Sequence, residues 1–272
     1  MQHKRYYRTL TIAGSDSGGG AGIQADLKTF SAFGCFGMSV ITALTAQNTV
    51  AVTGIYPVSP EFVARQIDAV LDDIGVDAVK IGMLETPDII TSVAGRLKAH
   101  AVERIVLDPV MVAKSGDKLL RDEAIFALKS ELIPLASIIT PNIPEANVLC
   151  ETSINSHDDV ERAARLLGDL GPRAVLIKGG HFSGARSDDC LLIRENGETI
   201  HWLKSQRFAT PNTHGTGCTL SSAIAACLAK GYSLAEAVTT AKDYISRAIN
   251  AGADYKIGQG HGPVFHFYQW WT

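Results

Sequence analysis

The sequence contains no pair of cysteines at the spacing of a zinc or redox motif. Its cysteines number five, an odd count in a chain of 272 residues, and no Cys-x-x-Cys occurs. These counts argue against a disulfide framework and against a cysteine-based zinc site. They favour reduced thiols, most of them buried as small apolar side chains, and make the cytosol the expected compartment.

The chain also lacks a strong charge excess, a long apolar run and a secretory leader pattern. The formal net charge of −3 gives no electrostatic reason to expect a nucleic acid or an anionic membrane as partner. No window is long and apolar enough to cross a bilayer. The first residues, MQHKRYYR, are basic, but no apolar stretch of signal-peptide type follows them. We therefore predict a cytoplasmic protein with no nucleic acid and no membrane partner.

The composition that remains is typical of a globular enzyme-sized domain, with 46% hydrophobic and 19% charged residues. Strand and helix signals alternate almost throughout the chain. This alternation predicts an α/β fold in which a mainly parallel sheet has helices on both faces. Since no internal repeat or linker interrupts the pattern, residues 1–272 are predicted to form one domain.

Turn and cap signals place several elements. Asn196-Gly197, between apolar runs at 189–194 and 198–204, predicts an antiparallel hairpin at an edge of the sheet. Residues 38–46 read as one strand, and residues 121–132 as a helix. The aromatic C-terminal segment, 258–272, is expected to dock on the body of the protein or on a partner subunit.

Helix starts are marked by residues that cap the first backbone N–H groups. Ser59 and Thr86 are each followed by proline, the pattern of an N-cap with proline at the first helical position. Ser156 is a further predicted N-cap, and Ser233 with Glu236 forms a capping box for the last long helix.

The stretch from Thr210 to Gly231 predicts an anion-binding turn. Gly215 and Gly217 allow a close backbone bend, and a small-residue helix is expected over 219–230 with Gly231 as its C-terminal cap. A glycine turn that feeds a helix start presents free N–H groups and the positive end of the helix dipole. The alternative is a glycine turn into a buried helix with no ligand.

Cys218 lies at the start of the same predicted helix. A helix N-terminus stabilises a thiolate, so we expect a lowered pKa for this thiol.

The first loop, 14–22, carries five glycines. Its spacing matches the dinucleotide fingerprint only loosely, and Ala46-Gln47-Asn48 stands where that fingerprint requires an acidic residue. A nicotinamide dehydrogenase is therefore disfavoured. In the alternative interpretation the loop lets backbone contact a flat substrate, to which Asp16 and Asp26 could offer carboxylates. Asp26 is equally compatible with a position on a helix surface.

Gln47 and Met83 follow predicted strands and suit a flat heteroaromatic ligand. A carboxamide donates and accepts at a ring edge, and a thioether packs on a ring face. Alternatively, Gln47 is a polar group that caps its own turn, and Met83 is an ordinary core methionine.

Oxygen ligands follow two successive strands: Asp108 after one, and Asn142 and Glu145 after the next. Ligands bind beyond the carboxyl ends of parallel strands, and hard oxygens there suit Mg²⁺ together with substrate phosphate. For Glu145 the alternative is a carboxylate in the first turn of a helix.

Lys178, followed by two glycines, suits phosphate oxygens, and the loop 181–188 could close over a nucleotide. No Walker P-loop is present. Together these groups predict phosphoryl transfer, in which positioning and charge stabilisation supply most of the catalysis.

Eight segments carry a family resemblance that runs in order along nearly the whole chain. They are TIAGSDSGGGAGIQADLKT (11–29), TAQNT (45–49), KIGML (80–84), DPVMV (108–112), TPNIPE (140–145), KGGH (178–181), HGTGC (214–218) and GHGPV (260–264). The chain resembles the hydroxymethylpyrimidine/phosphomethylpyrimidine kinases, thiamine-pathway enzymes of the ribokinase superfamily.

This resemblance implies a ribokinase-like three-layer α/β/α sandwich, ATP with Mg²⁺, and two successive phosphorylations of hydroxymethylpyrimidine, to the monophosphate and then the diphosphate. It also implies a cytosolic homodimer. The implied pyrimidine-site residues are Gly14, Ala21, Gln47 and Met83. Asp26, from the region of the first loop, is predicted as a further substrate contact. The implied magnesium and phosphate residues are Asp108, Asn142 and Glu145, with Lys178 on the ATP phosphates.

By the same resemblance, Gly215, Thr216, Gly217 and Cys218 would form the anion hole for the transferred group. Related sugar kinases carry an aspartate base where Cys218 stands. A thiolate could serve as base for an alcohol, but the second substrate is already anionic and needs no strong base, which would relax the demand for aspartate.

Two alternatives of different kinds stay open on the sequence. One is a pyridoxal kinase, which exists within the same family and whose substrate is also a flat ring with a hydroxymethyl arm. The other is a binding or regulatory module without turnover. Asp108, Glu145, Lys178 and the glycine-cysteine turn are all intact, which disfavours the second alternative.

Overall fold

A computed structural model describes residues 4–111, 122–180, 184–195 and 197–271. The strands are β1 (Arg8–Ala13), β2 (Phe36–Ile41), β3 (Ala43–Gln47), β4 (Val52–Pro57), β5 (Ala78–Ile81), β6 (Ile105–Leu107), β7 (Ile138–Ile139), β8 (Ala174–Ile177), β9 (Asp189–Ile193) and β10 (Thr199–Leu203). The helices are α1 (Gly22–Ala32), α2 (Pro60–Asp73), α3 (Pro87–Ala99), α4 (Asp122–Ala127), α5 (Ile143–Cys150), α6 (His157–Gly168), α7 (Thr216–Ala229) and α8 (Leu234–Ala251).

Eight strands form the central sheet in the order β10-β9-β8-β7-β6-β5-β1-β2. Within this sheet each strand is parallel to its neighbours across β2, β1, β5, β6, β7 and β8. Strand β9 is antiparallel to both β8 and β10. The predicted mainly parallel sheet with an antiparallel hairpin at its edge is therefore confirmed. Asn196 of the predicted turn lies outside the described residues, and its neighbour Gly197 has a φ of 111°.

Two hydrophobic clusters cover the two faces of the sheet. One joins α2, α3, α5 and α6 to the sheet, with Ile67 and Val93 among its fully buried residues. The other contains the apolar side chains of α7 and α8, such as Ile224 and Val238. Helix on sheet on helix is the predicted three-layer α/β/α sandwich, in which each face buries one apolar layer.

The predicted helix caps are confirmed. Ser59 and Thr86 accept hydrogen bonds from the backbone N–H groups of Phe62 and Ile89, and proline follows each of them. Ser156 and Ser233 each form a capping box with the acidic residue three positions later. These local signals explain why α2, α3, α6 and α8 begin where they do.

The stretch 38–46, predicted as one strand, is divided between two sheets. Thr42 stands between β2 and β3; its N–H donates to Ala13 O at 3.0 Å and its Oγ1 to Met83 O at 2.7 Å. After it, β3 pairs with β4 in a separate antiparallel sheet. Strand β4 was not predicted. Both parts of the stretch are apolar and β-rich, so the residue pattern does not reveal that long-range hydrogen bonds turn the chain at Thr42.

Two other elements differ at their ends. The helix predicted over 121–132 is described from residue 122; it is α4, followed by a wider π-type turn at Leu128–Leu132 and a 3-10 turn at Ile133–Leu135. Helix α7 starts at Thr216, earlier than predicted, and Gly231 follows its C-cap with a φ of 88° as expected.

The C-terminal segment docks on the body of the protein, as one of its predicted alternatives states. Val264 and His266 are buried, and the Tyr244 hydroxyl of α8 donates to His266 O at 2.6 Å. Trp270 and Trp271 remain exposed. Within the described ranges, no helix combines the length and apolarity that a bilayer crossing requires.

Candidate active site

The start of α7 forms a backbone anion site. Gly215 is its N-cap, with a φ of 76°. Across the described ranges, the N–H groups of Gly217 and Cys218 donate to no protein acceptor. Thr216 turns its hydroxyl inward, to Thr213 O at 2.8 Å. The free N–H groups and the helix dipole make this turn suited to a phosphate, as the sequence predicts.

The same turn lies beside the ends of the central strands. A Cβ on Gly217 would be 3.3 Å from Lys178 Nζ and 3.5 Å from Asp108 Oδ2. Lys178 directly follows β8, and Asp108 directly follows β6. Because residue 217 has no side chain, the start of α7 lies directly beside Lys178 and Asp108, which follow two parallel strands. This is the edge of the sheet where such folds bind ligands.

Asp108 and Lys178 form this ion pair with a separation of 2.9 Å between Nζ and Oδ1. Thr140 and Ser221 add hydroxyl contacts to the carboxylate at 3.3 Å each. Burial alone would lower the pKa of Lys178, but Asp108 and Glu145 outweigh it and raise that pKa. Lys178 therefore stays a cation in a largely enclosed site.

Glu145 and Asn142 are each other's helix cap as well as neighbours of Lys178. Asn142 N donates to Glu145 Oε2 at 2.7 Å, and Glu145 N donates to Asn142 Oδ1 at 2.9 Å. Oε2 also lies 4.0 Å from Lys178 Nζ. Burial, with Asp108 nearby, raises the pKa of Glu145 to about 7 against the effect of Lys178. Glu145 is thus a carboxylate in the first turn of a helix, as the alternative stated, and its role in binding Mg²⁺ stays a prediction.

The donor set near Lys178 fits a divalent cation only with help from substrate. Among the described residues, no group of three or more histidine, cysteine, aspartate or glutamate side chains could hold a metal ion. Asp108 and Glu145 are two buried carboxyl groups beside one ammonium group, and the pKa of about 7 for Glu145 reflects the cost of a second negative charge that a bound cation would offset. Mg²⁺ is commonly bound by one or two carboxylates, waters and substrate phosphates, which matches this set.

On the other side of the site, Asp16 organises the glycine-rich loop. Its Oδ1 accepts from Gly18 N, and its Oδ2 accepts from Ala21 N and contacts His214 Nε2, each at 2.8 Å. Burial alone would raise the pKa of Asp16, but His214 and the backbone N–H groups lower it. Asp16, suggested as a substrate contact, therefore holds the glycine-rich loop to His214, the residue before Gly215.

The structure brings together the residues predicted for a flat ring. A Cβ on Gly14 would come within 2.5 Å of Met83 Cε, so the two are in contact. The Ser17 hydroxyl donates to Gln47 O at 2.7 Å and accepts from Gln47 N at 2.8 Å, which ties Gln47 to the loop that holds Ala21. No described residue hydrogen-bonds the Gln47 carboxamide, so both its donor and its acceptor are available.

Asp26 does not fit its predicted role as a substrate contact. It is fully buried, and both its oxygens bind Lys80 Nζ, at 2.9 and 2.8 Å. Thr11 and Ser222 donate their hydroxyls to the same carboxylate at 2.6 and 2.7 Å. With every side of the carboxylate engaged, Asp26 joins β1, β5 and α7 beneath the site instead of facing a ligand.

The predicted low pKa of Cys218 is also wrong. Burial raises this pKa from its ordinary value of 9.0 to about 11, against the effects of Lys80 and the Gly22 N–H. Asp26 and Asp108 add to the rise. The loss of water, with two nearby carboxylates, keeps the thiol protonated at neutral pH although it lies at a helix start.

His214 and Lys80 had no predicted role. His214 and Asp16 meet across 198 positions of sequence, and Lys80 meets Asp26 across 54. No local pattern signals such pairs, although His214 lies in a segment that carries the family resemblance. Of the loop proposed to close over a nucleotide, residues 181–183 lie outside the described residues.

Comparison with known proteins gives consistent results. A family model described as phosphomethylpyrimidine kinase matches residues 16–265. The chain is 52% identical to the hydroxymethylpyrimidine/phosphomethylpyrimidine kinase of Rhizobium meliloti over 263 residues, which cover 96% of this chain and 97% of that protein. It is 51% identical to the thiamine biosynthesis bifunctional protein ThiED of Geobacter sulfurreducens, over 94% of this chain and 51% of that protein.

Among solved structures, an ADP complex of Bacillus subtilis pyridoxal kinase superposes with a TM-score of 0.89. That protein is 40% identical in sequence, and the match covers 97% of this chain and 99% of that chain.

Proposed function

The chain belongs to the phosphomethylpyrimidine kinase family, and from this premise we propose that it phosphorylates 4-amino-5-hydroxymethyl-2-methylpyrimidine with ATP, first to the monophosphate and then to the diphosphate. The protein is a kinase. The names of its relatives support a role in thiamine biosynthesis. The observation that carries the proposal is the helix start at Gly217, which opens directly onto Lys178 and Asp108.

In the first step, the hydroxymethyl oxygen bonds to the γ-phosphorus of ATP while the bond to the β,γ-bridging oxygen breaks. ADP leaves, and the hydroxyl proton is released. In the second step, a phosphate oxygen of the monophosphate attacks in the same way. The free N–H groups of Gly217 and Cys218 would hold the transferred group, and Lys178 would offset its charge. This division of labour suits a reaction that needs positioning more than covalent chemistry.

Mg²⁺ would be held by Asp108 and Glu145 together with nucleotide phosphates, since these two carboxyl groups stand beside a single ammonium group, that of Lys178. When bound, the cation neutralises phosphate charge. Asn142 would act through Glu145, because each caps the other. The acceptor ring would lie among Gly14, Met83 and Gln47, with the available carboxamide at the ring edge.

Cys218 would form part of the wall of the acceptor site, as a neutral thiol. Its raised pKa, about 11, leaves almost no thiolate at neutral pH. A late loss of the hydroxyl proton, with charge held by the anion site and Lys178, does not require a strong base.

Pyridoxal is the second candidate acceptor, because a pyridoxal kinase shares the fold at a TM-score of 0.89 and 40% identity. Both substrates are flat rings with a hydroxymethyl arm. The ratio of kcat/KM for the two substrates decides between them, and we expect it to favour the pyrimidine.

The decisive experiment is ³¹P NMR and mass spectrometry of products after incubation with ATP, Mg²⁺ and the pyrimidine. We expect ADP, a monophosphate and then a diphosphate of the pyrimidine. ADP release without phosphorylated pyrimidine, or turnover of pyridoxal alone, would contradict the proposal.

We further infer that the protein acts in the cytosol as a homodimer. Support for self-association comes from large apolar side chains on β2 and the β3–β4 hairpin: Phe36, Leu44 and Tyr56 are 45%, 47% and 72% exposed. Sedimentation velocity at micromolar concentration tests this, and a monomer at all concentrations would contradict it.

A further inference from the structure

One sequence motif has no part in the function proposed so far: GHGPV at 260–264. Residues 258–264, which we name the connecting segment, run between two parts of the site that are distant in sequence. One part is the turn of the β3–β4 hairpin at Thr49, close to Gln47. The other is His214, which directly precedes the N-cap of α7.

On the hairpin side, the connecting segment binds Thr49 through its backbone. His261 N donates to Thr49 O at 2.9 Å, and Gly260 N donates to Thr49 Oγ1 at 3.2 Å. The turn is closed internally by Asn48, whose Oδ1 accepts from Val50 N at 2.8 Å. The connecting segment therefore holds the outside of a turn that is already formed.

On the anion-site side, the connecting segment binds the chain just before Gly215. His214 N donates to Gly262 O at 3.0 Å, and His214 pairs with Pro263 as a parallel bridge. Gly20 of the glycine-rich loop packs against both, since a Cβ there would meet the His214 ring and lie 3.2 Å from Pro263 Cβ. One short segment thus contacts the anion site, the glycine-rich loop and the hairpin.

Two glycines of the connecting segment are required by contact rather than by conformation. Neither Gly260 nor Gly262 has a φ in the left-handed region. A Cβ on Gly260 would collide with the backbone carbonyl of Thr49, and one on Gly262 with the Asn212 side chain. The main chain of the segment must therefore approach each side closely.

The anchorage of the connecting segment is uneven. Toward the anion site, His261 Nδ1 of the segment contacts Pro211 O at 3.2 Å in addition to the contacts with His214. The residues that follow the segment are held as well: Phe265 N donates to Ala248 O of α8 at 3.1 Å, and His266 Nε2 contacts Thr219 Oγ1 of α7 at 3.0 Å. Toward the hairpin, the hydrogen bonds of the described residues of segment 258–264 go to Thr49 alone, and Gly260 also packs against Val50 Cα. The segment is thus fixed to α7 and α8 and holds the tip of the hairpin, while Ser15 and Ser17 of the glycine-rich loop hold strand β3.

From these contacts we propose that the connecting segment is a positioning element: it fixes the β3–β4 hairpin, and with it Gln47, at a set distance from the anion site at the start of α7. This inference rests on the proposed function, since it assigns Gln47 to the acceptor. Gly260 is its key position, because the main chain there must touch Thr49.

The test is Gly260→Ala in the full-length protein. An added Cβ pushes the hairpin away from the segment without reaching the anion site. We expect KM for the pyrimidine to rise by about ten-fold, the equivalent of one or two lost hydrogen bonds, while KM for ATP stays within about two-fold. Amide hydrogen exchange should accelerate across 43–57 and stay unchanged across 214–220.

The matched control is Gly34→Ala, at the end of α1. Gly34 has a φ of 69°, and an added Cβ would meet no atom within 4 Å. This variant carries backbone strain with no link to the site, and it should leave both KM values at wild-type levels. An equal rise of both KM values in Gly260→Ala, or unchanged hydrogen exchange in the hairpin, overturns the inference.

A second pair of variants covers the case in which Gly260→Ala does not fold. Thr49→Ala removes the Oγ1 acceptor without adding atoms, and Thr49→Ser keeps it. The pyrimidine KM should rise several-fold in Thr49→Ala and return to wild type in Thr49→Ser; equal values in the two variants would count against the inference. If the wild-type protein does not phosphorylate the pyrimidine, the proposed function fails, while hydrogen exchange in these variants still tests the connecting segment.

Discussion

Two of the lysine–aspartate pairs among the described residues share the same chemistry but differ in place, one in the core and one in the site. Lys80 and Asp26 are 2.8 Å apart, and both side chains have no exposed surface. Lys178 and Asp108 are 2.9 Å apart, but the Lys178 side chain is 16% exposed to solvent. The distances are nearly equal, so the difference between the pairs lies in what surrounds them.

Around Asp26, the hydroxyls of Thr11 and Ser222 complete the hydrogen bonds of the carboxylate, and both of its oxygens bind Lys80 Nζ. Around Lys178, a second carboxylate stands 4.0 Å away and the free N–H groups of α7 open beside it. A pair with matched charge and complete bonding serves the fold. A pair beside a second carboxyl group and free backbone N–H groups can bind a ligand.

The largest effect is expected when the core pair is broken. Lys80→Met leaves Asp26 charged and enclosed, which should destabilise the protein by about 3–5 kcal/mol, as for other buried pairs that lose one partner. Chemical denaturation measures this loss. The double variant Lys80→Met with Asp26→Leu removes both charges and should recover most of it. Equal stability of Lys80→Met and wild type would show that the enclosed pair is not needed for the fold.

Breaking the site pair should affect turnover instead of stability. Lys178→Met removes the cation beside the anion site, and kcat should fall by about 10²- to 10³-fold, the effect of losing one preorganised charge or donor. The thermal midpoint should change less than in Lys80→Met, because 16% of the Lys178 side chain is exposed to solvent, whereas Lys80 has no exposed surface. Steady-state kinetics and thermal melts of the two variants, measured side by side, check the contrast. A collapse of stability in Lys178→Met would make the two pairs alike.

The sequence could predict the site pair and not the core pair, for a physical reason. Asp108 and Lys178 directly follow strands, and the carboxyl ends of parallel strands share one edge, so strand prediction alone brings them together. Asp26 lies within α1 and Lys80 within β5. Their meeting depends on how a helix packs on the sheet, which no local pattern encodes.

The same limit explains other outcomes. Caps at Ser59 and Ser233 depend on neighbours in sequence, and they were predictable. The turn at Thr42 and the bond between Asp16 and His214 depend on partners far along the chain, and they were not. The pKa of Cys218 needed the burial and charges of the folded protein, which outweigh its place at a helix start.

A methyl group placed against each pair should sharpen the contrast at smaller cost. An added Cβ would lie 3.3 Å from Lys178 Nζ in Gly217→Ala and 2.9 Å from Lys80 Nζ in Gly82→Ala. We expect Gly217→Ala to lower kcat by about ten-fold with stability kept, since alanine favours a helix, and Gly82→Ala to cost stability, as overpacking does. The two variants are compared by kinetics and by denaturation. Loss of kcat in Gly82→Ala without loss of stability would contradict this assignment.

The smallest effect is expected at Cys218, whose pKa is influenced by both pairs: Lys80 opposes its rise, and Asp26 and Asp108 favour it. With a pKa of about 11, the thiol is protonated at neutral pH, so Cys218→Ala should keep both phosphorylation steps within a few-fold of wild type. A serious loss confined to the first step would identify the thiol as the base.

The pH dependence of Cys218 follows from the sign of the same shift. Because its pKa in the folded protein lies above the ordinary 9.0, the unfolded chain releases the thiol proton first as pH rises. The contribution of this thiol to stability is therefore complete below pH 9 and is lost between there and about 11. Alkylation of Cys218 should likewise stay slow through pH 9 and accelerate toward 11, which mass spectrometry of the modified peptide measures. Fast alkylation at pH 7 would mean that Lys80 outweighs burial and the two carboxylates, and the thiolate would return as a candidate base.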